Sequence, residues 1–158
     1  ANIGTELLIL TGGEPLLRGD LYEIADRASA RGMVVVLGSN GVLLDEAVAG
    51  ELARAGVRGV GLSVDSVDAA KHDAFRGLTG AWARTMEAID ACRAVGLEVV
   101  VQTTLTEWNL HELDDLISLA RKRGAHAFNA SKRHSTRQCS NALVTGYRCP
   151  KMDSSSST

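Results

Sequence analysis

A short glycine-rich loop that carries a carboxylate lies near the start of the chain. Gly12 and Gly13 precede Glu14 and Pro15, directly after the apolar run 7–10. Two glycines let the backbone approach a ligand closely and expose its carbonyl oxygens as acceptors. An ammonium group needs acceptors, whereas a phosphate needs donors. The loop therefore predicts a site for a ligand that carries an amine.

Polar side chains also follow or close three further apolar runs. They are Ser39, Asn40, Ser63, Asp65, Gln102 and Thr104. If these runs are parallel strands, their carboxyl ends meet at one rim, where ligands bind in parallel α/β folds. One such loop is ordinary turn chemistry. Four loops together predict a site for a polar ligand with several functional groups.

Alternating helices and strands would bring these loops together. Apolar residues at spacings of three and four predict four helices, which begin after Asp20, after Asp45, near Trp82 and at Asn109. Each helix ends at a glycine that leads into an apolar strand, and these glycines are Gly32, Gly56, Gly96 and Gly124. The predicted strands are 7–11, 33–38, 58–64, 97–104 and 125–129.

The predicted fold class is α/β, with parallel βα repeats. Nearly continuous Val, Leu and Ile in the strands is typical of a parallel sheet that is covered on both faces. Five parallel strands fit either a doubly wound sheet or an arc of a βα barrel, and periodicity alone leaves both open. In the fourth strand, Gln102 and Thr104 alternate with buried valines, and ordinary hydrogen bonding within the strand is one interpretation of both residues.

Composition excludes several classes of function. The chain has 158 residues, of which 45% are hydrophobic, and this suits one globular domain. A net charge of −2 and an aromatic content of 4% argue against a nucleic-acid-binding protein. The apolar runs are only as long as strands, and no signal peptide is visible, so we expect a cytoplasmic protein without a membrane span.

The three cysteines do not predict a metal site. Cys92, Cys139 and Cys149 lack the short spacing of metal ligands, and Cys92 falls on the apolar side of a predicted helix, where we expect it in the core.

Residues 130–158 show no sustained hydrophobic period and end in a serine run. We therefore predict a folded α/β region over 1–129, followed by an irregular tail over 130–158 that is disordered or non-native.

The ordered series of loops resembles the radical S-adenosylmethionine (radical SAM) family. The loop 12–15 is similar to the one that holds the methionine amino group of the cofactor in those enzymes. Ser39-Asn40-Gly41 resembles a second-strand motif, and 63–66 resembles the Ser-x-Asp motif. The stretches 71–77 and 80–82 are similar to those of members that modify tetrapyrroles in haem biosynthesis, and of their peptide-modifying relatives. The resemblance covers about residues 5–129 and implies an incomplete TIM-like barrel.

The resemblance implies roles for individual residues. Gly12, Gly13 and Glu14 would hold the ammonium of S-adenosylmethionine. Ser39, Asn40, Ser63 and Asp65 would contact its ribose or carboxylate, and Arg76 or Arg84 would pair with the carboxylate. Gln102 and Thr104 would face the barrel interior. We expect His72 and Trp108 in surface loops. No residue of the chain is predicted to be catalytic, and the substrate would be a small molecule or a peptide.

One departure from the family bears on activity. Radical SAM enzymes carry Cys-x-x-x-Cys-x-x-Cys upstream of Gly-Gly-Glu, and its thiolates hold a four-iron (4Fe-4S) cluster. This chain has no such motif, and it begins where the second strand of the barrel would begin. Cys139 and Cys149 lie on the wrong side of the loop and at the wrong spacing. We therefore expect the chain alone to be inactive and to bind the cofactor weakly.

Two other classes of protein stay open at this point. Another βα-barrel enzyme, such as a lyase or aldolase, would need a lysine or a carboxylate pair at the strand ends, and no lysine lies at the predicted ends. The alternative is a non-catalytic α/β module. Such a module would be stabilised by pairing its exposed first strand with a second copy.

Overall fold

The computed structural model describes residues 4–132 and 147–148. Five parallel strands form one sheet, in which each strand pairs with the next along the chain. They are β1 (Leu7–Leu10), β2 (Val34–Ser39), β3 (Val57–Ser63), β4 (Glu98–Leu105) and β5 (Ala127–Lys132). A two-residue strand, β6 (Tyr147–Arg148), pairs with β5 in the antiparallel direction.

Helices separate the parallel strands and cover one face of the sheet. They are α1 (Leu21–Ser29), α2 (Glu46–Arg54), α3 (Ala69–Arg76), α4 (Ala81–Ala94) and α5 (Leu113–Lys122), with 3-10 turns at Pro15–Leu17 and Leu110–Glu112. The glycines Gly32, Gly56, Gly96 and Gly124 have φ of 79°, 80°, 83° and 68°. This left-handed backbone is easily adopted only by glycine. The predicted βα repeats and their glycine joints are confirmed.

Helix α3 was not predicted, and it corrects the expected position of His72. The helix is rich in polar residues, so its sequence has no apolar stripe. Its ends are nevertheless well defined, because the Asp68 carboxylate accepts a hydrogen bond from the Lys71 amide at 2.9 Å and Gly77 closes the helix with φ of 67°. His72 therefore lies in a helix and is only 1% exposed. The expectation of a surface loop was wrong for His72.

The two faces of the sheet differ in burial. The core lies between the sheet and the helices, and it includes Leu37, Leu62, Val101 and the predicted core residue Cys92. The other face is open at the edge, where Leu7 and Ile9 of β1 are 50% and 56% exposed. In β4, burial alternates along the strand, and Gln102 and Thr104 are half-buried on the side away from the helices.

Strand β5 continues past the predicted boundary at Asn129 to Lys132. A lysine therefore does end one strand, although none was expected at a strand end. Residues 133–146 and 149–158 of the predicted tail, with Cys139 and Cys149, lie outside the described residues. The irregular or non-native character of the tail stays a prediction. In the described part of the chain, no helix combines the length and apolar character that a membrane crossing needs.

Candidate functional site

The first strand end forms an open loop. Gly12 and Gly13 have φ of 104° and 57°, and a Cβ built on either would meet no atom within 4 Å. The backbone of both residues is therefore accessible to a ligand. The loop borders an open groove of about 550 Å³, which Glu14 and Arg18 also line.

The Glu14 side chain also joins the first strand end to the second. Its Oε1 accepts hydrogen bonds from the Ser39 hydroxyl at 2.8 Å and the Leu16 amide at 3.2 Å, and Oε2 accepts one from the Asn40 amide at 2.9 Å. We call Glu14, Ser39 and Asn40 the edge junction. Because three donors already reach this half-buried carboxylate, it fixes the positions of the two loops.

The second loop is held by turn chemistry and by helix α4. Asn40 Oδ1 accepts a hydrogen bond from the Val42 amide at 2.8 Å, and the Asn40 carbonyl accepts one from the buried Thr85 hydroxyl at 2.9 Å. Gly41 has φ of 81°, and a Cβ there would lie 3.2 Å from Thr85 Cα. A side chain at position 41 would therefore push α4 away from the loop. The Asn40 amide nitrogen makes no hydrogen bond within the described residues.

A fully buried aspartate joins the third and fourth strand ends. Asp65 Oδ1 accepts a hydrogen bond from the Thr104 amide at 2.9 Å, and Oδ2 contacts the Arg76 guanidinium. The Asp65 amide donates to His72 Nδ1 at 3.2 Å, and its carbonyl accepts from Asn109 Nδ2 at 2.9 Å. We call these five residues the central junction. Every polar atom of Asp65 is thus engaged.

Protonation of His72 would conflict with its place in the central junction. Its Nδ1 accepts a hydrogen bond, so the ring must be neutral there with its proton on Nε2. Burial lowers the pKa of His72, and the charge of Arg76 lowers it further, while Asp65 and Asp73 oppose the shift. The ring is therefore neutral at physiological pH.

A second buried carboxylate strengthens the same contact between loops. Glu112 Oε2 accepts hydrogen bonds from the Ser66 hydroxyl at 2.6 Å and the Val67 amide at 3.0 Å, and Oε1 accepts one from Lys71 Nζ at 2.9 Å. Burial alone would raise the pKa of Glu112. The hydrogen bonds from Ser66, Lys71 and Val67 outweigh that effect, so its pKa lies below the usual value.

Three polar side chains near the rim have no internal partner. Ser63 Oγ, the Gln102 amide and Thr104 Oγ1 make no hydrogen bond within the part of the chain that the structure describes. Ser63 and Gln102 are direct neighbours across β3 and β4. A Cβ on Gly61 would lie 2.6 Å from Gln102 Nε2, so the glycine lets this amide lie across β3. These groups are available to a ligand on the open face.

The remaining predicted residues lie in different surroundings. Arg76 has a side chain that is 29% exposed, and its guanidinium lies 5.8 Å from the Phe75 ring centroid as well as against Asp65. Trp108 is half-buried and packs on Phe75, with ring centroids 5.1 Å apart. Arg84 is exposed and lines a separate groove with acidic residues of α2 and α4. The structure brings Arg76, but not Arg84, into the central junction.

Sequence reasoning missed Asn109, Glu112 and Thr85 as parts of the site. Asn109 was predicted only as a helix start, yet its fully buried side chain also contacts the Asp65 and Thr104 carbonyls at 2.9 Å and 3.0 Å. An Asn and a Glu three residues apart after a strand are an ordinary helix-capping signal. Nothing in that local pattern indicates the partners that lie far away in the sequence.

Comparison with known proteins assigns the family. The sequence model of the Radical SAM superfamily matches residues 1–120. This chain belongs to the radical SAM superfamily. Members of the family use S-adenosylmethionine and a four-iron cluster for radical-based reactions, and the relatives of this chain are enzymes.

Several relatives of this chain act in tetrapyrrole chemistry, by their names. An AdoMet-dependent heme synthase of Nitratidesulfovibrio vulgaris is 38% identical over 128 residues, which cover 81% of this chain and 35% of the relative. A pre-heme d1 synthase of Dinoroseobacter shibae is 39% identical over 124 residues, covering 78% of this chain and 30% of the relative. The chain thus spans about a third of the length of these curated relatives.

Solved structures agree on the fold. SuiB of Streptococcus suis, bound to S-adenosylmethionine, matches with a TM-score of 0.71 at 14% identity, over 85% of this chain and 31% of SuiB. Native anSMEcpe with bound AdoMet matches with a TM-score of 0.67 at 18% identity, over 90% of this chain and 43% of that protein. The predicted incomplete TIM-like barrel is confirmed, and the doubly wound alternative is excluded.

The described residues suit one of the two family cofactors and not the other. Open glycine backbone and three unpartnered polar side chains on one rim match the donors and acceptors of S-adenosylmethionine. For the iron–sulfur cluster the described residues offer no group of three or more His, Cys, Asp or Glu that could hold a metal ion. Cys92, the cysteine that the structure describes, is buried, and burial raises the pKa of its thiol to about 12. The cluster does not fit these residues.

Proposed function

We propose that the rim formed by the carboxyl ends of β1 to β4 is the S-adenosylmethionine-binding wall of a radical SAM enzyme. The observation that carries the proposal is the grouping of unpartnered polar atoms beside two fixed junctions. In the whole protein, S-adenosylmethionine bound at this wall would supply radical chemistry that abstracts hydrogen from the substrate.

The residues of this chain divide the work of binding. The carbonyl oxygens of Gly12 and Gly13 accept hydrogen bonds from the ammonium group, and the Glu14 carboxylate adds negative charge behind them. Ser63, Gln102 and Thr104 bind the carboxylate and the ribose hydroxyls, together with the Asn40 amide. Ser39 holds Glu14 in place, because its hydroxyl is buried against that carboxylate.

Calorimetric titration of the chain with S-adenosylmethionine tests this proposal. Ser63→Ala and Gln102→Ala each remove a group that has no internal partner, so we expect binding to weaken about tenfold, or about 1.4 kcal/mol, without loss of stability. Glu14→Gln replaces one acceptor by a donor that faces Ser39 or Asn40, and we expect it to abolish binding. Arg54→Gln, which removes a surface pair with Glu51, is the matched control.

Two results would contradict the proposal. One is the absence of any heat of binding at millimolar cofactor. The other is binding that Ser63→Ala and Gln102→Ala leave unchanged.

For the whole protein we propose a tetrapyrrole substrate in haem biosynthesis and a cytoplasmic location. The tetrapyrrole-modifying relatives support this choice over the PqqA peptide cyclase of Granulibacter bethesdensis, which is 32% identical. The proposed reductive chemistry also needs an electron from a donor of low reduction potential. Anaerobic turnover of the parent protein with iron coproporphyrin and with a precursor peptide tests the choice, because consumption of the peptide alone would exclude the tetrapyrrole.

A second proposal is self-association of this chain through β1. Within the described residues, strand β1 has a paired neighbour on one side only, and Leu7, Ile9 and Val34 are 50%, 56% and 47% exposed on the same face. An exposed apolar edge strand is a template for pairing with another chain. Light scattering should give a dimer that Ile9→Lys dissociates, whereas Leu110→Lys, at a position that is 50% exposed on the rim, should not. A monomeric wild-type chain would exclude the proposal.

A further inference from the structure

The Asp65 carboxylate is enclosed by protein atoms on all sides. Its side chain is 0% exposed, one oxygen accepts the Thr104 amide, and the other contacts Arg76. That second contact is an ion pair without an aligned hydrogen bond. A ligand hydroxyl could reach this carboxylate only if the Arg76 side chain left or if the fourth strand end moved.

The pair that Arg76 forms with Asp65 is sheltered in a way that an ordinary surface ion pair is not. The guanidinium stands over the Phe75 ring, and this ring packs on Trp108 at an interplanar angle of 41°. Phe75 belongs to α3, whereas Trp108 belongs to the loop after β4. The aromatic contact therefore joins the same two segments as the ion pair.

We propose that Asp65 and Arg76 are a positioning pair for cofactor binding and do not themselves touch the cofactor. Arg76 holds the Asp65 carboxylate, and the carboxylate holds the Thr104 amide. This chain of contacts fixes the ends of β3 and β4, which carry Ser63, Gln102 and Thr104. The inference rests on the proposed function, because it assigns these three residues to S-adenosylmethionine.

Neighbouring contacts support a role in position. Asn109 bridges the carbonyls of Asp65 and Thr104, and Thr103 donates its hydroxyl to the Val64 carbonyl at 2.6 Å. These bonds cross between the same two strand ends as the carboxylate. Among the described residues, Arg76 is the one that brings a full charge from helix α3 to the junction, so its loss should move the Thr104 amide while the sheet stays intact.

A double-mutant cycle with two measurements tests the inference. Arg76→Gln, Asp65→Asn and the double variant are titrated with S-adenosylmethionine, and the Thr104 amide is followed by its NMR chemical shift and hydrogen exchange. We expect each single variant to weaken binding about tenfold and the double variant to be no weaker than the worse single variant. The Thr104 amide should shift and exchange faster in all three variants. Arg76→Lys should recover part of the affinity, because it keeps the charge.

The opposite pattern would overturn the inference. If Arg76 binds the cofactor carboxylate itself, Arg76→Gln weakens binding while the Thr104 amide stays unchanged, and the effects of the two substitutions add. Arg27→Gln, which removes an exposed pair with Glu23, should change neither measurement. If Asp65→Asn does not fold, the Arg76 variants alone decide between the two patterns.

Failure of the proposed function has a separate signature. A wild-type chain that binds no S-adenosylmethionine contradicts the cofactor assignment, whatever the NMR result. An unchanged Thr104 amide in Arg76→Gln contradicts the positioning pair, whether or not the cofactor binds.

Discussion

The edge junction and the central junction have the same structural role but differ in burial. Each uses a carboxylate to hold two neighbouring strand ends together. At the edge, Glu14 is half-buried and its partners are a hydroxyl and two amides. At the centre, Asp65 is fully buried, and it contacts a cation, a histidine, an asparagine and an amide. The comparison indicates that the central strand ends are held by more contacts, at a fully buried residue, than the strand ends at the edge.

Substitution of the two carboxylates should give the largest difference between the junctions. Asp65→Ala leaves the Thr104 amide and the Arg76 charge without their partner in a buried site, so we expect the free energy of unfolding to fall by about 3 kcal/mol. Glu14→Ala exposes its former partners to water, and we expect a loss of about 1 kcal/mol. Urea unfolding followed by circular dichroism measures both. Equal losses would mean that burial does not separate the junctions.

Replacement of glycine by alanine should show a similar difference in stability between the central strands and the edge loop. A Cβ at position 59 would lie 2.8 Å from the Glu98 carbonyl oxygen, so Gly59→Ala forces β3 and β4 apart and should cost about 2 kcal/mol. Gly13→Ala meets no neighbouring atom, but its φ of 57° is unfavourable for alanine, and we expect a loss of about 1 kcal/mol. Thermal unfolding compares the two variants. A more damaging Gly13→Ala would reverse the expected order.

The central junction should also respond to pH through His72. Burial lowers the folded-state pKa of His72 below its value in the unfolded chain, so protonation favours unfolding. The contribution of His72 is complete above the unfolded pKa of about 6.5 and declines as the pH falls below that value. His72→Asn keeps an acceptor near Nδ1 without titrating. The difference in free energy of unfolding between wild type and variant should therefore shrink on acidification, and a constant difference would contradict this account.

The smallest effect should come from substitution of Lys71, the exposed partner of Glu112. Lys71 is 51% exposed in its side chain, so the pair is well hydrated on the lysine side. Lys71→Met leaves the bonds from Ser66 and Val67 to Glu112 intact, and we expect almost no change in the urea midpoint. The exposed pair of Arg58 with Glu98 provides a matched control in Arg58→Met. A clearly larger loss for Lys71→Met than for Arg58→Met would show that the pair of Lys71 with Glu112 contributes to stability.

Local sequence signals were enough to predict the edge junction's location and the βα repeats. Glycine after a helix and polar residues after a strand are short-range patterns, and Gly32, Gly56, Gly96 and Gly124 all have the expected backbone. Helix α3 escaped prediction because periodicity was the criterion and this helix has no apolar stripe. The capping residue Asp68 and the closing residue Gly77 were the signals that could have indicated it.

The central junction was only partly predictable, for a physical reason. Its bonds join residues that are far apart in the sequence, such as Asp65 with Thr104 and Asn109 with Asp65. Nothing in the residues around Asp65 distinguishes an exposed ligand contact from a buried structural carboxylate. The burial that separates these roles arises only when β3, β4, α3 and the following loop pack together.

The order of the strands has a further consequence for biosynthesis. Each parallel strand pairs with the strand that precedes it along the chain, in the order β1 to β5. Each of these parallel pairings closes over a single crossover, so folding can advance in the direction of synthesis. We therefore expect a nascent chain on the ribosome to add one βα unit at a time. Of the two junctions, the edge junction would then form before the central one, whose buried charges would be enclosed only after β4 and Asn109 have left the exit tunnel.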